Sequence, residues 1–178
     1  EEAISALADA GIVGGYPDGR YEPAISVDRG AMAVYISRAL AGGETGVPDG
    51  AEDPTFPDVP SDHWAWRYVE YVVSASVAAG YPDGKYHPDW SLTRGQMSVF
   101  IARAIVDPTG EEGLGGYQAP ETASFQDVPE DYWCFKHVEF LAANDVVSGY
   151  PDGTYCPTRA VTRDQMAVYI ARAFDLLG

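Results

Sequence analysis

The chain has 178 residues, 46% of them hydrophobic, and a formal net charge of -16 from 27 acidic and 11 basic side chains. That apolar share is ordinary for a folded domain, so the acidity does not mark a disordered tail. It does argue against nucleic acid and anionic membrane surfaces as partners, since both call for a basic face, and with no apolar run long enough to cross a bilayer, direct membrane insertion is not expected.

From the N-terminus, Ile4, Leu7, Ala8 and Ile12 follow helical spacing and predict a helix buried on one face. Gly15 suits a left-handed stop. It opens the stretch Gly15-Tyr16-Pro17-Asp18-Gly19-Arg20-Tyr21-Glu22-Pro23, in which Pro pre-sets a turn angle, Asp can bond the backbone ahead and Gly takes a conformation other residues resist. The loop is expected to be packed, with Tyr16 near the surface. A second helix is predicted behind Asp28 as its cap, with Met32, Tyr35, Ile36, Ala39 and Leu40 as a core stripe. Residues 42–55, rich in Gly, Pro, Asp and Glu, read as a surface connection.

The same order then recurs twice. Val69, Val72, Val73 and Val77 precede Gly80-Tyr81-Pro82-Asp83-Gly84-Lys85-Tyr86-His87-Pro88 and Thr93-Arg94-Gly95-Gln96-Met97. Val138, Leu141, Ala142 and Val146 precede Gly149-Tyr150-Pro151-Asp152-Gly153-Thr154-Tyr155-Cys156-Pro157 and Thr162-Arg163-Asp164-Gln165-Met166. The offset is 65 residues and then 69, both at the Tyr of the turn and at the Arg of the second helix. Three copies result, at 1–41, 56–107 and 125–178, joined by linkers 42–55 and 108–124. Glu1 aligns with Trp66, so the first copy lacks a counterpart of 56–65, which reads as a processed or trimmed N-terminus.

The later copies open with Asp58-Val59-Pro60-Ser61-Asp62 and Asp127-Val128-Pro129-Glu130-Asp131, candidate caps for a first helix with Trp64 or Trp133 in its first turn. Thr93 and Thr162 each have Gln three residues on, the spacing of a capping box, which Ala31 cannot close behind Asp28. One helix-loop-helix of this size buries too little to stand alone. The expected fold is therefore all-α, three such repeats closing about an approximate threefold axis, with an open solenoid as the competing arrangement.

Arg29, Arg94 and Arg163 follow the cap of each second helix, where a cation meets the positive end of the helix dipole. A guanidinium beside a helix N-terminus suits an anion, and Arg can grip a carboxylate through two parallel hydrogen bonds. The competing reading pairs each Arg with an Asp of its own turn, such as Asp18, Asp83 or Asp152, or with a carboxylate of the next copy. Arg38, Arg103 and Arg172 read as inter-repeat salt-bridge or packing residues. Trp64, Trp133, Tyr16, Tyr81 and Tyr150 offer flat apolar faces beside polar groups, a mixture that suits a sugar ring, although aromatic residues at helix starts also serve as core. Asp18, Asp83 and Asp152 could join such a site or simply order the turn.

Cys134 and Cys156 fit either one disulfide or two free thiols, the bridge being favoured. His63, His87 and His137 lack partners at ligand spacing, and the turns lack the dense oxygen spacing of a calcium loop, so no metal and no cofactor is expected. No nucleophile elbow or metalloprotease motif is present, and no carboxylate pair stands out from the repeat, so an enzyme is not expected.

Taken together, Phe-x-Asp-Val, Trp at the helix start, Gly-Tyr-Pro-Asp-Gly-x-Tyr-x-Pro and Thr-Arg-x-x-Met closely resemble the S-layer homology domain in three tandem copies. The resemblance implies an all-helical pseudo-threefold prism around a central helical bundle. It further implies a module that anchors secreted proteins non-covalently to a cell-wall polysaccharide or peptidoglycan-linked polymer, often pyruvylated, at an extracellular, cell-envelope address. In the family the Arg of the Thr-Arg motif helps bind polymer in grooves between copies, which carries over to Arg29, Arg94 and Arg163. Ala31, Gln96 and Gln165 stand where the family has Glu, and Asp28 where it has Thr. Unequal grooves are expected, with Arg94 and Arg163 contributing most. The alternative is a structural module that assembles copies of a surface layer or binds another wall protein.

Overall fold

The computed structural model describes residues 1–177. It contains six α-helices: α1 (Glu2–Asp9), α2 (Arg29–Ala41), α3 (Trp66–Ser74), α4 (Arg94–Ala104), α5 (Phe135–Ala143) and α6 (Arg163–Ala173), with a 3₁₀ turn at Glu44–Gly46. The class is all-α, two helices to a copy.

The second helix of each copy begins where local chemistry places it. Asp28 Oδ1 accepts the Ala31 N–H at 2.7 Å. Thr93 and Gln96 close a full capping box, satisfying two backbone donors reciprocally. In the third copy the Thr162 N–H donates to Gln165 Oε1 at 3.3 Å, while the Thr162 hydroxyl pairs with Asp164. Behind these caps Met32, Met97 and Met166 are fully buried, as their spacing predicts.

The first helices depart from expectation at both ends. The N-cap positions of α3 and α5 are Ala65 and Cys134, with no side-chain cap, so the acidic and hydroxyl residues upstream are not caps and Trp64 and Trp133 precede the helices. The left-handed stop is not at Gly15, Gly80 or Gly149 but four residues earlier, at Gly11, Ser76 and Asp145, with φ of 68°, 59° and 57°. There the Ile12, Val77 and Val146 N–H groups reach back to Leu7, Val72 and Leu141 carbonyls at 2.8, 2.9 and 2.9 Å. This is a Schellman closure that returns an apolar residue to the core. Gly80 and Gly149 serve close packing instead: a Cβ there would overlap the rings of Phe56 and Phe125.

Packing runs between copies. α2 packs on α3 and α4 on α5, so each second helix is partnered by the first helix of the next copy, and α6 returns to α1. α2 also packs on α4. Near the start of each second helix, Val27 donates to the Val161 carbonyl at 2.8 Å, Leu92 to Val27 at 2.8 Å and Val161 to Leu92 at 2.9 Å. These three repeat-equivalent, buried residues close a cycle of backbone hydrogen bonds.

The linkers are more than surface connections. Val47 and Leu114 are buried in the core. Glu44 accepts the Tyr68 hydroxyl and Arg67 Nη2, both at 2.7 Å, and pairs with Arg38 Nε. Glu111 accepts Arg103 Nε at 3.0 Å and meets His137 Nε2 at 2.8 Å. Each linker thus ties the helix before it to the helix after it through one carboxylate. Arg38 and Arg103 are salt-bridged, to linker residues rather than to another copy, and Arg172 is exposed.

Candidate functional site

Arg29, Arg94 and Arg163 reach across the seams into the next copy. Nε donates to the carbonyl of Tyr86, Tyr155 and Tyr21 at 2.9, 2.7 and 2.9 Å, and Nη2 to that of Ala79, Ser148 and Gly14 at 3.1, 3.2 and 3.2 Å. Each guanidinium also lies over the ring of the tyrosine whose carbonyl it bonds, at 4.5, 4.3 and 4.4 Å. The reading that paired these arginines with an Asp of their own turn is not what forms. Arg94 is 2% and Arg29 5% exposed, and Arg163 is half-buried.

The helix N-termini are also occupied. The first two N–H groups of α2 go to the Trp90 and Pro88 carbonyls, those of α4 to Arg159 and Pro157, and those of α6 to Ile25 and Pro23. These bonds satisfy donors that a helix start would otherwise offer to an anion. Any anion affinity at these seams therefore resides in the guanidinium edges, a correction to the expectation of an open helix terminus.

The repeated loop holds its shape through carboxylates. Asp18, Asp83 and Asp152 each accept the N–H two residues ahead, at 3.0, 3.1 and 3.0 Å, and do not line the grooves described next. Tyr21, Tyr86 and Tyr155 pack beneath, their hydroxyls donating to the Arg163, Arg29 and Arg94 carbonyls. Burial pushes the Tyr21 hydroxyl up to about 12 and raises the other two further, so all three remain donors. Tyr16, 42% exposed, and the half-buried Tyr81 and Tyr150 sit at the loop entrance, beside Arg163, Arg29 and Arg94 respectively.

Trp64 and Trp133 are 54% and 57% exposed. They lie over Gly30 and Gly95, where an added Cβ would meet the indole at 2.9 Å. This explains Arg-Gly in the first two copies: Asp164 replaces the glycine in the third, over which no described Trp lies. The pairing of Gly with a downstream Trp was the sequence signal for this contact.

Two grooves result, each built by all three copies. The first, about 340 Å³, joins Arg29, the Val77 to Tyr81 loop, one flank of α4 with Gln96, Phe100 and Arg103, and Trp133. The second, about 530 Å³, joins Arg163, Tyr16, one flank of α2 with Asp28, Tyr35 and Arg38, and Trp64. The first contains two arginines and no carboxylate. The second contains Asp28, whose carboxyl is raised by burial, an effect that Asp89 reinforces and the Ala31 N–H opposes. At the remaining seam Arg94 adjoins Tyr150 and Tyr169.

Cys134 and Cys156 are free, so the favoured disulfide does not form. Cys134 Sγ is turned under α4 against Gly95, with burial raising the thiol to about 11, whereas Cys156 Sγ lies 3.4 Å from Thr154 Oγ1.

Residues 1–33, 55–98 and 124–167, more than half of the chain, match the S-layer homology domain. The chain belongs to the S-layer homology domain family. Membership places it at the cell envelope, as a cell-surface anchoring module rather than a catalytic one. It is 29% identical to a cellulosome-anchoring protein of Acetivibrio thermocellus over 90% of this chain and 35% of that protein. It is 28% identical to cell surface glycoprotein 1 of the same organism over 90% of this chain and 7% of that protein. An S-layer protein of Bacillus licheniformis is 28% identical over 72% of this chain and 14% of its own length. The chain thus spans a minor part of these relatives.

Proposed function

We propose that this S-layer homology module holds a larger surface protein to the cell wall by binding an anionic, pyruvate-bearing secondary cell-wall polysaccharide in its inter-copy grooves. The observation that carries this reading is the first groove: in a chain of net charge -16, Arg29 and Arg103 line it together with Tyr81 and Trp133, and no Asp or Glu does. Arg103 is already paired with Glu111, so Arg29 is the lining cation that attracts a carboxylate locally although the molecule as a whole repels it, and the aromatic faces suit a sugar ring. The cyclic packing is read as a pseudo-threefold prism about a central helical bundle, which spaces grooves around one body so that several weak contacts on one polymer add as avidity. Asp18, Asp83 and Asp152 act by shaping the loops that present Tyr16, Tyr81 and Tyr150.

The test is co-sedimentation with wall sacculi from the source organism, before and after mild acid removal of the attached polymer, with a Trp64→Ala, Trp133→Ala double variant alongside. Both indoles are more than half exposed, so the variant should keep its fold. Binding lost on stripping and reduced at least tenfold in the variant is the expected result. Binding that survives both treatments would assign attachment to peptidoglycan or a protein partner.

A further inference from the structure

We infer that the seventh residue of each second helix decides which guanidinium is free to take a ligand carboxylate: Phe100 leaves Arg29 open, whereas Tyr169 and Tyr35 cap Arg94 and Arg163. This rests on the polysaccharide reading above and names the groove and the donor through which it acts.

In all three seams Nε and one N–H of Nη2 donate to the equivalent two carbonyls of the next copy. Only Nη1 differs. Arg94 Nη1 donates to the Tyr169 hydroxyl, and Arg163 Nη1 to the Tyr35 hydroxyl at 2.6 Å. The equivalent position facing Arg29 is Phe100, whose ring lies 5.6 Å from the guanidinium carbon and offers no acceptor. Among the described residues Arg29 Nη1 has no hydrogen-bond partner, although the side chain is 95% buried and borders the first groove.

Arg29 Nη1 is not one of the fully buried unpaired side-chain atoms, so it opens on the groove rather than lying sealed in the core, and a carboxylate is the partner that binds a guanidinium edge most strongly. The Arg29 guanidinium lies over the rings of Tyr86 at 4.5 Å and Tyr81 at 4.7 Å, and its N–H groups point outward in its own plane, so a ligand oxygen would meet its edge. The local charge agrees: Thr93 caps α4 where the equivalent residue of the second groove is the anionic Asp28. At Arg163 and Arg94 one of the two Nη1 N–H groups already donates to a tyrosine hydroxyl, so a ligand carboxylate competes with that hydroxyl for the guanidinium edge. The first groove is therefore the principal carboxylate site, which reverses the ranking expected from sequence.

The experiment titrates the intact chain with a methyl hexoside carrying a 4,6-pyruvate ketal and, as control, the methyl ester of that ketal, followed by the indole N–H resonances of Trp133 in the first groove and Trp64 in the second. The wild-type chain is expected to shift Trp133 at lower ligand concentration than Trp64, with the ester about tenfold weaker. Phe100→Tyr should fold, since Tyr occupies this position in both other copies, and should weaken the Trp133 response about tenfold. The pair Tyr35→Phe with Asp28→Thr should bring the Trp64 response to the level of Trp133. A Trp64 response that comes first, or a Phe100→Tyr chain within twofold of wild type, overturns the capping inference and leaves the wall-anchor reading intact. Sacculus binding with no response to the ketal overturns carboxylate capture at Arg29 in the same way. A wild-type chain that binds neither sacculi nor ketal overturns both.

Discussion

The Asp58 carboxylate accepts the Tyr86 and His87 N–H groups at 3.0 and 2.7 Å, and Asp127 does the same for Tyr155 and Cys156 at 2.7 Å each. The repeated Asp was visible in the sequence, but its partners lie 28 and 29 residues on, so its role as a loop brace was not. Burial works to raise the Asp58 carboxyl, and the two backbone donors outweigh it and hold it below the usual carboxylate range. A depressed folded value means that the stabilisation is complete above the ordinary carboxylate pKa and is lost as pH falls through the lowered one. Asp58→Ala should therefore cost about 1–3 kcal/mol at pH 7. The gap between variant and wild type should narrow below about pH 4. Urea titrations at pH 7 and pH 3 check this, and a gap of equal size at both values would show that the charge is not what braces the loop.

At the level of elements, what could be read from sequence was what is bonded locally. The starts of the second helices depend on partners three residues apart, and Asp28, Thr93 and Thr162 were legible for that reason. The stops of the first helices were not, because Ser76 and Asp145 adopt left-handed backbone that neither side chain advertises, with Val77 and Val146 packing into the core behind them. The linkers misled because a single apolar residue and a single Glu do their packing amid Gly, Pro and acid. Leu114→Ala should thus cost about 2–5 kcal/mol despite its loop position, measurable as a drop in denaturation midpoint with unchanged slope; a change within 0.5 kcal/mol, the order of an ordinary surface substitution, would return the linker to a surface role.

The two linker carboxylates also differ in an instructive way. Glu44 receives the Tyr68 hydroxyl, and at the equivalent position Glu111 faces His137. Burial lowers the His137 pKa, an effect that Arg103 and Lys136 reinforce and Glu111 opposes. The neutral ring is favoured in the fold, so its contribution is complete above the ordinary histidine value and declines as pH falls below it. His137→Tyr, which copies the arrangement at Glu44, should flatten the dependence of Tm on pH between about 7 and 5. Parallel Tm profiles for variant and wild type would exclude His137 as the source of that slope.

For the molecule as a whole, no copy keeps its interactions to itself. Arg29, Arg94 and Arg163 bond the next copy, the first N–H groups of α2, α4 and α6 are satisfied by the next copy's loop, and α6 returns to α1. In an open array each unit meets only its neighbours and an end unit can fray. Here opening any one copy strips hydrogen-bond partners from both others, backbone donors among them. Thermal unfolding should accordingly be one transition, with calorimetric and van't Hoff enthalpies equal. The sharper measurement is native-state hydrogen exchange at Val27, Leu92 and Val161, whose N–H groups form the closed backbone cycle. If the ring opens only when the chain unfolds, all three exchange with one free energy, equal to that from denaturant unfolding, and Arg94→Ala lowers the three together although only the seam of the second and third copies is altered. A fall confined to Leu92 and Val161, or values that differ by more than about 1 kcal/mol among the three sites, would mean that one seam opens by itself and that the copies are joined in a chain rather than locked in a cycle.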